Sequence, residues 1–237
     1  MLQRTNPRMA SPPPTELSRY VAGSHWAGHL SAEELEQVER EIIVRNIAGG
    51  GFVCRKGESV EQWIGVMEGL AKMSLFSVEG KLTTLTGLPP GAWFGEGSLL
   101  KAETRKYDIL ALRACRIAYM PKKTFFRLLD TNLGFNRFLL AQLNERLGQF
   151  ISLVESERLL EPDGRVARSL FELFNPVLYP GLGRQLQISQ EEIGLLAGVS
   201  RQRVNQALQV LEKAGLLRIE YGGITVVDLA GLRAYGS

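Results

Sequence analysis

The 237 residues leave room for one large domain or two modest ones, at about 100–200 residues each. A content of 45% hydrophobic and 22% charged residues excludes a collagenous, purely coiled-coil or wholly disordered chain. Lys plus Arg number 28 against 25 Asp plus Glu, and the net charge of +3 neither announces a nucleic-acid partner nor excludes a local basic patch.

Residues 1–15 are polar and carry Pro12, Pro13 and Pro14, which predicts a disordered tail without the apolar core of a signal peptide. No apolar run reaches the roughly 18–20 residues that span a bilayer, so a cytoplasmic protein with no membrane partner is expected. His25 and His29 have no third ligand nearby, which suits a helix surface better than zinc. A helix starts at Ser31, which caps it with Glu34 three residues on; Leu35, Val38 and Ile42 follow one face.

Between about Arg45 and Met120 the texture changes to frequent glycines and short alternating segments. Cys115, Ile117 and Tyr119 point to one face of a strand there, with Arg116 and Ala118 on the other. Turn signals at Lys56-Gly57-Glu58, Glu79-Gly80-Lys81 and Pro89-Pro90-Gly91 recur at intervals that suit an all-β barrel or sandwich. Past Pro121 the period lengthens. Leu140, Leu143, Leu147, Phe150 and Val154 form an a/d seam, and Phe135, Phe138, Leu139 and Ile151 form a second row beside it. One face should pack on the barrel and the other on the same helix of a second copy; a helix buried within one subunit is the alternative. That helix should end near Leu160, because Pro162 disfavours helical geometry before it. Asp163 is expected to cap the next helix, which carries Val166, Leu170 and Leu173. The segment from Glu161 to Gly164 is then a hinge.

Residues 190–209 carry the most specific pattern. Ile193, Ala197, Val199, Val204 and Leu208 face inward in a helix pair, Gly198 ends the first helix and Ser200 caps the second. This is a helix-turn-helix, whose second helix enters the DNA major groove. Candidate DNA-binding residues are Ser189 ahead of the first helix, then Ser200, Arg201, Gln202, Arg203, Asn205 and Gln206. Arg donates to phosphate or guanine, whereas Gln and Asn pair with adenine edges. No acidic residue lies between Ser200 and Val210 to repel phosphates. Beyond them, segments 216–220 and 224–227 flank Tyr221-Gly222-Gly223 as a β-hairpin wing.

The order of barrel, long helix, hinge and winged helix-turn-helix resembles the Crp/Fnr family of bacterial transcription regulators, from about Val38 to Tyr235. The likeness is most specific at Pro90 to Glu96 and at Ile193 to Val204. It implies an α+β chain with an N-terminal double-stranded β-helix (a jelly-roll-like barrel), a long dimerisation helix and a C-terminal winged helix-turn-helix. The expected divisions are a tail at 1–15, an effector barrel at 16–130, a dimerisation helix at 131–161 and a DNA-binding domain at 162–237. Implied partners are double-stranded DNA, a second copy of the chain, RNA polymerase and a small-molecule effector. The family's first recognition positions fall on Arg201, Gln202 and Gln206. Arg201 alone keeps the residue of the cyclic-AMP receptor branch, so a half-site that retains guanine opposite Arg201 and departs elsewhere is expected.

Gly95-Glu96 followed nine residues later by Arg105 resembles the phosphate-binding cassette of cyclic-nucleotide domains. The same likeness makes Gly95, Glu96, Ser98, Leu99, Arg105, Lys106 and Phe150 candidate effector contacts. Against cyclic AMP stand Lys106, Tyr107 and Asp108, where the family usually has small and hydroxyl residues. Phe150 and Ile151 likewise stand where the receptor presents hydroxyls from its dimer helix. Each polar contact left unmade costs about 1–3 kcal/mol. The alternatives are a remnant Glu96–Arg105 ion pair, or another effector against Trp63, Trp93, Phe94 and Tyr107. A constitutive regulator with a purely structural barrel has the same pattern. Cys54 and Cys115 are expected to be inert reduced thiols, with oxidation a weaker possibility. An enzyme on the barrel is not expected: residues 45–120 contain no histidine, and no nucleophile elbow, P-loop or dinucleotide fingerprint occurs.

Overall fold

The computed structural model describes residues 15–76, 82–180 and 182–236. Most of the expected tail, and the turn at Glu79-Gly80-Lys81, lie outside the described residues. The chain opens with α1 (Glu16–Ala22) and a 3-10 helix (His25–His29) whose two histidines are exposed. Next comes α2 (Ala32–Glu41), where the Ser31–Glu34 capping box forms in both directions.

Among the described residues, eight strands then make two four-stranded antiparallel sheets. They are β1 (Ile43–Ile47), β2 (Phe52–Cys54), β3 (Gln62–Glu68), β4 (Ala71–Phe76), β5 (Leu82–Leu88), β6 (Trp93–Phe94), β7 (Asp108–Ala111) and β8 (Cys115–Pro121). One sheet runs β1-β8-β3-β6 and the other β2-β7-β4-β5. Ile64, Val66, Ile117 and Tyr119 of the first meet Val53, Met73, Ile109 and Ala111 of the second in a shared core. Alternation along each strand supplies that face, as in other two-sheet packings. Behind the first sheet, Trp26, Trp63, Trp93, Phe125, Phe135 and Phe138 form a continuous aromatic cluster. Trp63 and Trp93 are therefore core residues.

Short α3 (Glu96–Leu100) follows β6, and α4 (Lys122–Thr131) follows β8. Asn132 then caps the long α5 (Leu133–Leu159), accepting from the Phe135 amide. Phe135, Phe138 and Leu139 pack on the barrel as expected. The seam differs in detail from the sequence pattern. Leu133, Leu140, Leu147, Ile151 and Val154 are between 47 and 68% exposed, whereas Leu143 and Phe150 are turned partly inward. Ile151 thus joins the outer row, because 3.6 residues per turn carries positions 140, 147, 151 and 154 to one side.

The helix α6 spans Pro162–Leu173. Its N-cap is Glu161 and Pro162 occupies the first turn, where its missing N–H costs nothing, so Asp163 is not the cap. A three-stranded sheet follows the order β10-β11-β9, with β9 at Gln185–Gln187, β10 at Leu217–Glu220 and β11 at Gly223–Val226. The wing turn is tighter than the sequence suggests, since Gly223 pairs with Glu220 inside the hairpin. Between β9 and β10 lie α7 (Gln190–Ala197) and α8 (Arg201–Lys213), and α9 (Leu229–Ala234) closes the chain. No helix among the described residues is long and apolar enough to cross a membrane.

Candidate DNA interface and effector cavity

Local chemistry sets the helix pair. Ser189 caps α7 in a full capping box with Glu192; Gly198 takes a left-handed φ of 65° at its end; Ser200 accepts from the Arg203 amide to start α8. Val204, Ala207, Leu208 and Leu211 of α8 pack against Val166, Leu170, Ile193 and Ala197. Gly194 sits where a Cβ would fall 2.7 Å from the Val199 carbonyl oxygen, which fixes a small residue at the close approach.

The outer face of α8 presents Arg201, Gln202, Asn205 and Gln206, all exposed, and the caps Ser189 and Ser200 are exposed beside it. Arg203 is held differently. Its guanidinium pairs with Asp163 at 3.1 Å and donates to Gln206 Oε1 at 3.1 Å, so it ties the recognition helix to the start of α6. Asn205 Oδ1 accepts from Gln190 across the turn. Arg165 donates to the carbonyls of Ala197 and Gly198, closing the turn from below. At the wing tip Tyr221 is fully exposed.

In the barrel, Gly95 adopts φ 95° before α3, and a cavity of about 260 Å³ opens between β4, α3 and α5. Of the candidate effector contacts, Gly95, Glu96, Ser98, Lys106 and Phe150 line it. Leu99 and Arg105 do not. Leu99 is buried in the aromatic cluster. Arg105 is 3% exposed and lies beneath Gly95, where a Cβ would meet its Nη1 at 2.1 Å. Its Nη2 donates to the Gln62 carbonyl at 2.7 Å, and no hydrogen-bond partner is found for Nη1. Glu96 accepts from Trp63 Nε1 at 3.2 Å, and the remnant Glu96–Arg105 ion pair does not form. Asp108 accepts from the Lys56 amide at 3.0 Å.

Phe94 and Tyr107 line the cavity with Met73, Leu143 and Phe150. Burial pushes the Tyr107 phenol well above its usual range. Burial also pushes Cys54 up to about 11 and raises Cys115, which leaves both thiols protonated and argues against the oxidation reading.

The inner side of α5 carries a polar row that the heptad pattern alone does not reveal. Gln142, Arg146 and Gln149 are buried, and their 4 and 3 spacing between the two apolar rows was the available signal. Arg146 lines the cavity and donates to the Trp93 carbonyl, to Gln149 and to the Tyr179 hydroxyl at 3.2 Å. Tyr179 donates in turn to the Gly87 carbonyl on β5. The cavity wall is thereby bonded to the segment that leads into the helix-turn-helix. Arg113, on the β7–β8 turn, pairs with Glu192 of α7 at 3.1 Å.

Cyclic AMP fits these residues poorly. The anchoring arginine is sealed behind Gly95, the carboxylate is engaged by an indole, and α5 offers Leu143, Arg146 and Phe150 where a purine needs new hydrogen-bond partners.

Residues 44–132 match the cyclic nucleotide-binding domain family and residues 164–235 the Crp-like helix-turn-helix domain. A cAMP-activated global transcriptional regulator CRP from Haemophilus influenzae is 31% identical over 217 residues, 90% of this chain and 96% of that one. The Cyclic AMP receptor protein of Thermus thermophilus is 29% identical over 210 residues, 89% and 95% of the two chains. The solved structure of FixK2 from Bradyrhizobium japonicum shares the fold, with a TM-score of 0.67 at 16% identity over 83% of this chain and 98% of the other. Two matched domains in this order, with a relative aligned along almost its whole length, place the chain in the Crp/Fnr family of transcription regulators, DNA-binding proteins built from an N-terminal cyclic-nucleotide-binding-like domain and a C-terminal helix-turn-helix.

Proposed function

We propose that two copies of this chain join through α5 and read a two-fold symmetric operator with Arg201, Gln202, Asn205 and Gln206 in successive major grooves. The observation that carries this is the row Leu133, Leu140, Leu147, Ile151 and Val154, an apolar stripe with no partner in one subunit. A helix with two apolar faces buries one on the barrel and needs a second surface for the other. Ser189 and Ser200 place helix N-termini at the phosphates, and Arg201 takes guanine, while Gln202 and Gln206 face adenine edges. Tyr221 reaches the flanking backbone from the wing. Arg203 serves the protein first, through Asp163, and DNA only after that pair opens.

The units of this reading are the barrel to residue 130, the dimerisation helix to 161 and the DNA-binding domain beyond. RNA polymerase is the partner that converts site occupancy into regulation. A small effector in the barrel cavity shifts the equilibrium between two arrangements of the domains, to the extent that it binds them unequally. The bonded route from Arg146 through Tyr179 to β5 supports this, because it joins the cavity wall to the approach of the DNA-binding unit.

The test is selection of bound genomic fragments by the purified full chain without ligand, followed by sequencing. A symmetric motif with half-sites about one helical turn apart, and guanine at one position of each, is the expected result. An asymmetric motif, or binding by a monomer, overturns the dimeric reading. Repeating the selection with cell extract separates an effector-dependent protein from a constitutive one.

A further inference from the structure

The mouth of the barrel cavity carries an ion cluster that the family cassette does not account for. Lys101 ends α3 and Lys106 stands just after Arg105, and both line the cavity with side chains 68 and 61% exposed. Between them lies Glu103, with one oxygen 2.8 Å from the Lys101 ammonium and the other 2.7 Å from that of Lys106. A carboxylate thus already sits where both lysines converge. Deeper in, the walls change character. Phe94, Tyr107 and Phe150 supply three rings, and Met73 and Leu143 fill between them. Aromatic walls favour a flat apolar body, through stacked or edge contacts and the thioether. The volume of about 260 Å³ lies just under the range of drug-sized ligand sites, roughly 300–1,000 Å³.

We propose that the cavity takes an aromatic carboxylate whose ring system lies between Phe94, Tyr107 and Phe150 and whose carboxylate replaces Glu103 between Lys101 and Lys106. This rests on reading the cavity as the effector site and names the ligand class that its own residues select. Glu103 is then a built-in competitor, a copy of the ligand's anionic end that holds the two ammonium groups in place until the ligand arrives. The family's phosphate-anchoring position takes no part, since Arg105 is turned to the Gln62 carbonyl behind Gly95. Strong pairing with both lysines also lowers the Glu103 carboxyl to about 2, so the competitor is ionised throughout the physiological range.

The experiment is calorimetric titration of the full-length protein with benzoate, indole-3-acetate and 2-naphthoate, alongside 2-naphthamide and cyclic AMP. At least one carboxylate should bind. For 2-naphthoate the neutral amide should be at least about tenfold weaker, the loss of one charge-assisted contact of about 1.4 kcal/mol. The double variant Lys101→Gln, Lys106→Gln should lose that discrimination. Glu103→Gln should bind the carboxylate several-fold more tightly, because the competitor is gone, and Phe150→Trp should abolish binding by filling the cavity. Lys101 and Lys106 are exposed and Glu103 is partly so, and folding is preserved in the three polar substitutions. Equal binding of acid and amide, or an unchanged affinity in Glu103→Gln, overturns the proposal. Binding of cyclic AMP alone, indifferent to the lysine substitutions, overturns it and leaves the effector-site reading standing. Heat from none of the five compounds overturns the proposal and leaves the effector-site reading to the selection with cell extract.

Discussion

On α8 the charged and polar side chains stand on one rigid helix, started by Ser200 and exposed along a single face. In the barrel cavity they come from α3, the segment after it and α5, and the buried charged ones are already bonded inward, Glu96 to Trp63 and Arg146 to Tyr179, while Arg105 behind the wall is bonded to Gln62. The first surface keeps its donors available to DNA, and the second holds its donors in the protein's own network. A family fold can therefore preserve its reading head while the ligand chamber drifts, because the reading head depends on a few local residues. The chamber depends on side chains from four separate parts of the chain, and any one of them can be redirected.

The sharpest way to break this comparison is to separate the two copies that it assumes. Leu140→Glu together with Leu147→Glu puts charge into the exposed row of α5 without touching the barrel-facing side. Sedimentation should show a monomer, and operator affinity should fall about 10²–10⁴-fold as two linked half-site contacts become independent. An intact dimer in this variant would place the interface elsewhere. Next in size is Arg201→Ala. A bidentate contact to guanine accounts for about 1–3 kcal/mol of discrimination, so affinity should drop and the preference at that base pair should flatten. Uniform weakening across all sequences would instead make Arg201 a phosphate contact.

Legibility follows the same division. The capping box at Ser31, the stop at Gly198 and the cap at Ser200 are each decided within four residues, and each was readable from spacing alone. The position of Arg105 was not. Its chemistry and its distance from Glu96 matched a phosphate anchor, yet the Gln62 carbonyl, 43 residues earlier, is what it meets. Asp163 shows the same limit on a smaller scale. It looked like a cap by sequence, but Pro162 already suits the first helical turn, and Asp163 is left to pair with Arg203 across 40 residues. Arg146 was hidden because a polar residue among heptad leucines looks like solvent-facing decoration until the second wall is known.

The pair between Asp163 and Arg203 sharpens the comparison from the reading-head side, since it is one place where α8 behaves like the cavity. Both side chains keep partial exposure, 24 and 39%, so the pair contributes little to stability, under about 1 kcal/mol. Asp163→Asn should leave the melting temperature nearly unchanged and release Arg203 toward the DNA backbone. Each added phosphate contact steepens the dependence of log K on log salt by about 0.9. Anisotropy titrations at several salt concentrations should show that increment, and an unchanged slope would mean that Arg203 stays bound to Gln206.

The smallest effect tests whether the barrel's inward charges activate anything. Cys54, on β2, feels Arg105, which lowers its thiol pKa, but burial outweighs that pull and carries the value from 9.0 up to about 11. The sign follows directly. Below pH 9 the thiol is protonated in both folded and unfolded chains and stability does not depend on it. Between 9 and 11 the unfolded chain releases the proton while the folded one holds it, so stability should decline as pH rises through that window. Near pH 8 a thiol reagent should react with the native protein far more slowly than with the chain in denaturant. If Cys54 reacted as fast folded as unfolded, Arg105 would be acting on it as an activating charge, and the barrel would hold a reactive centre in place of an inward-bonded scaffold.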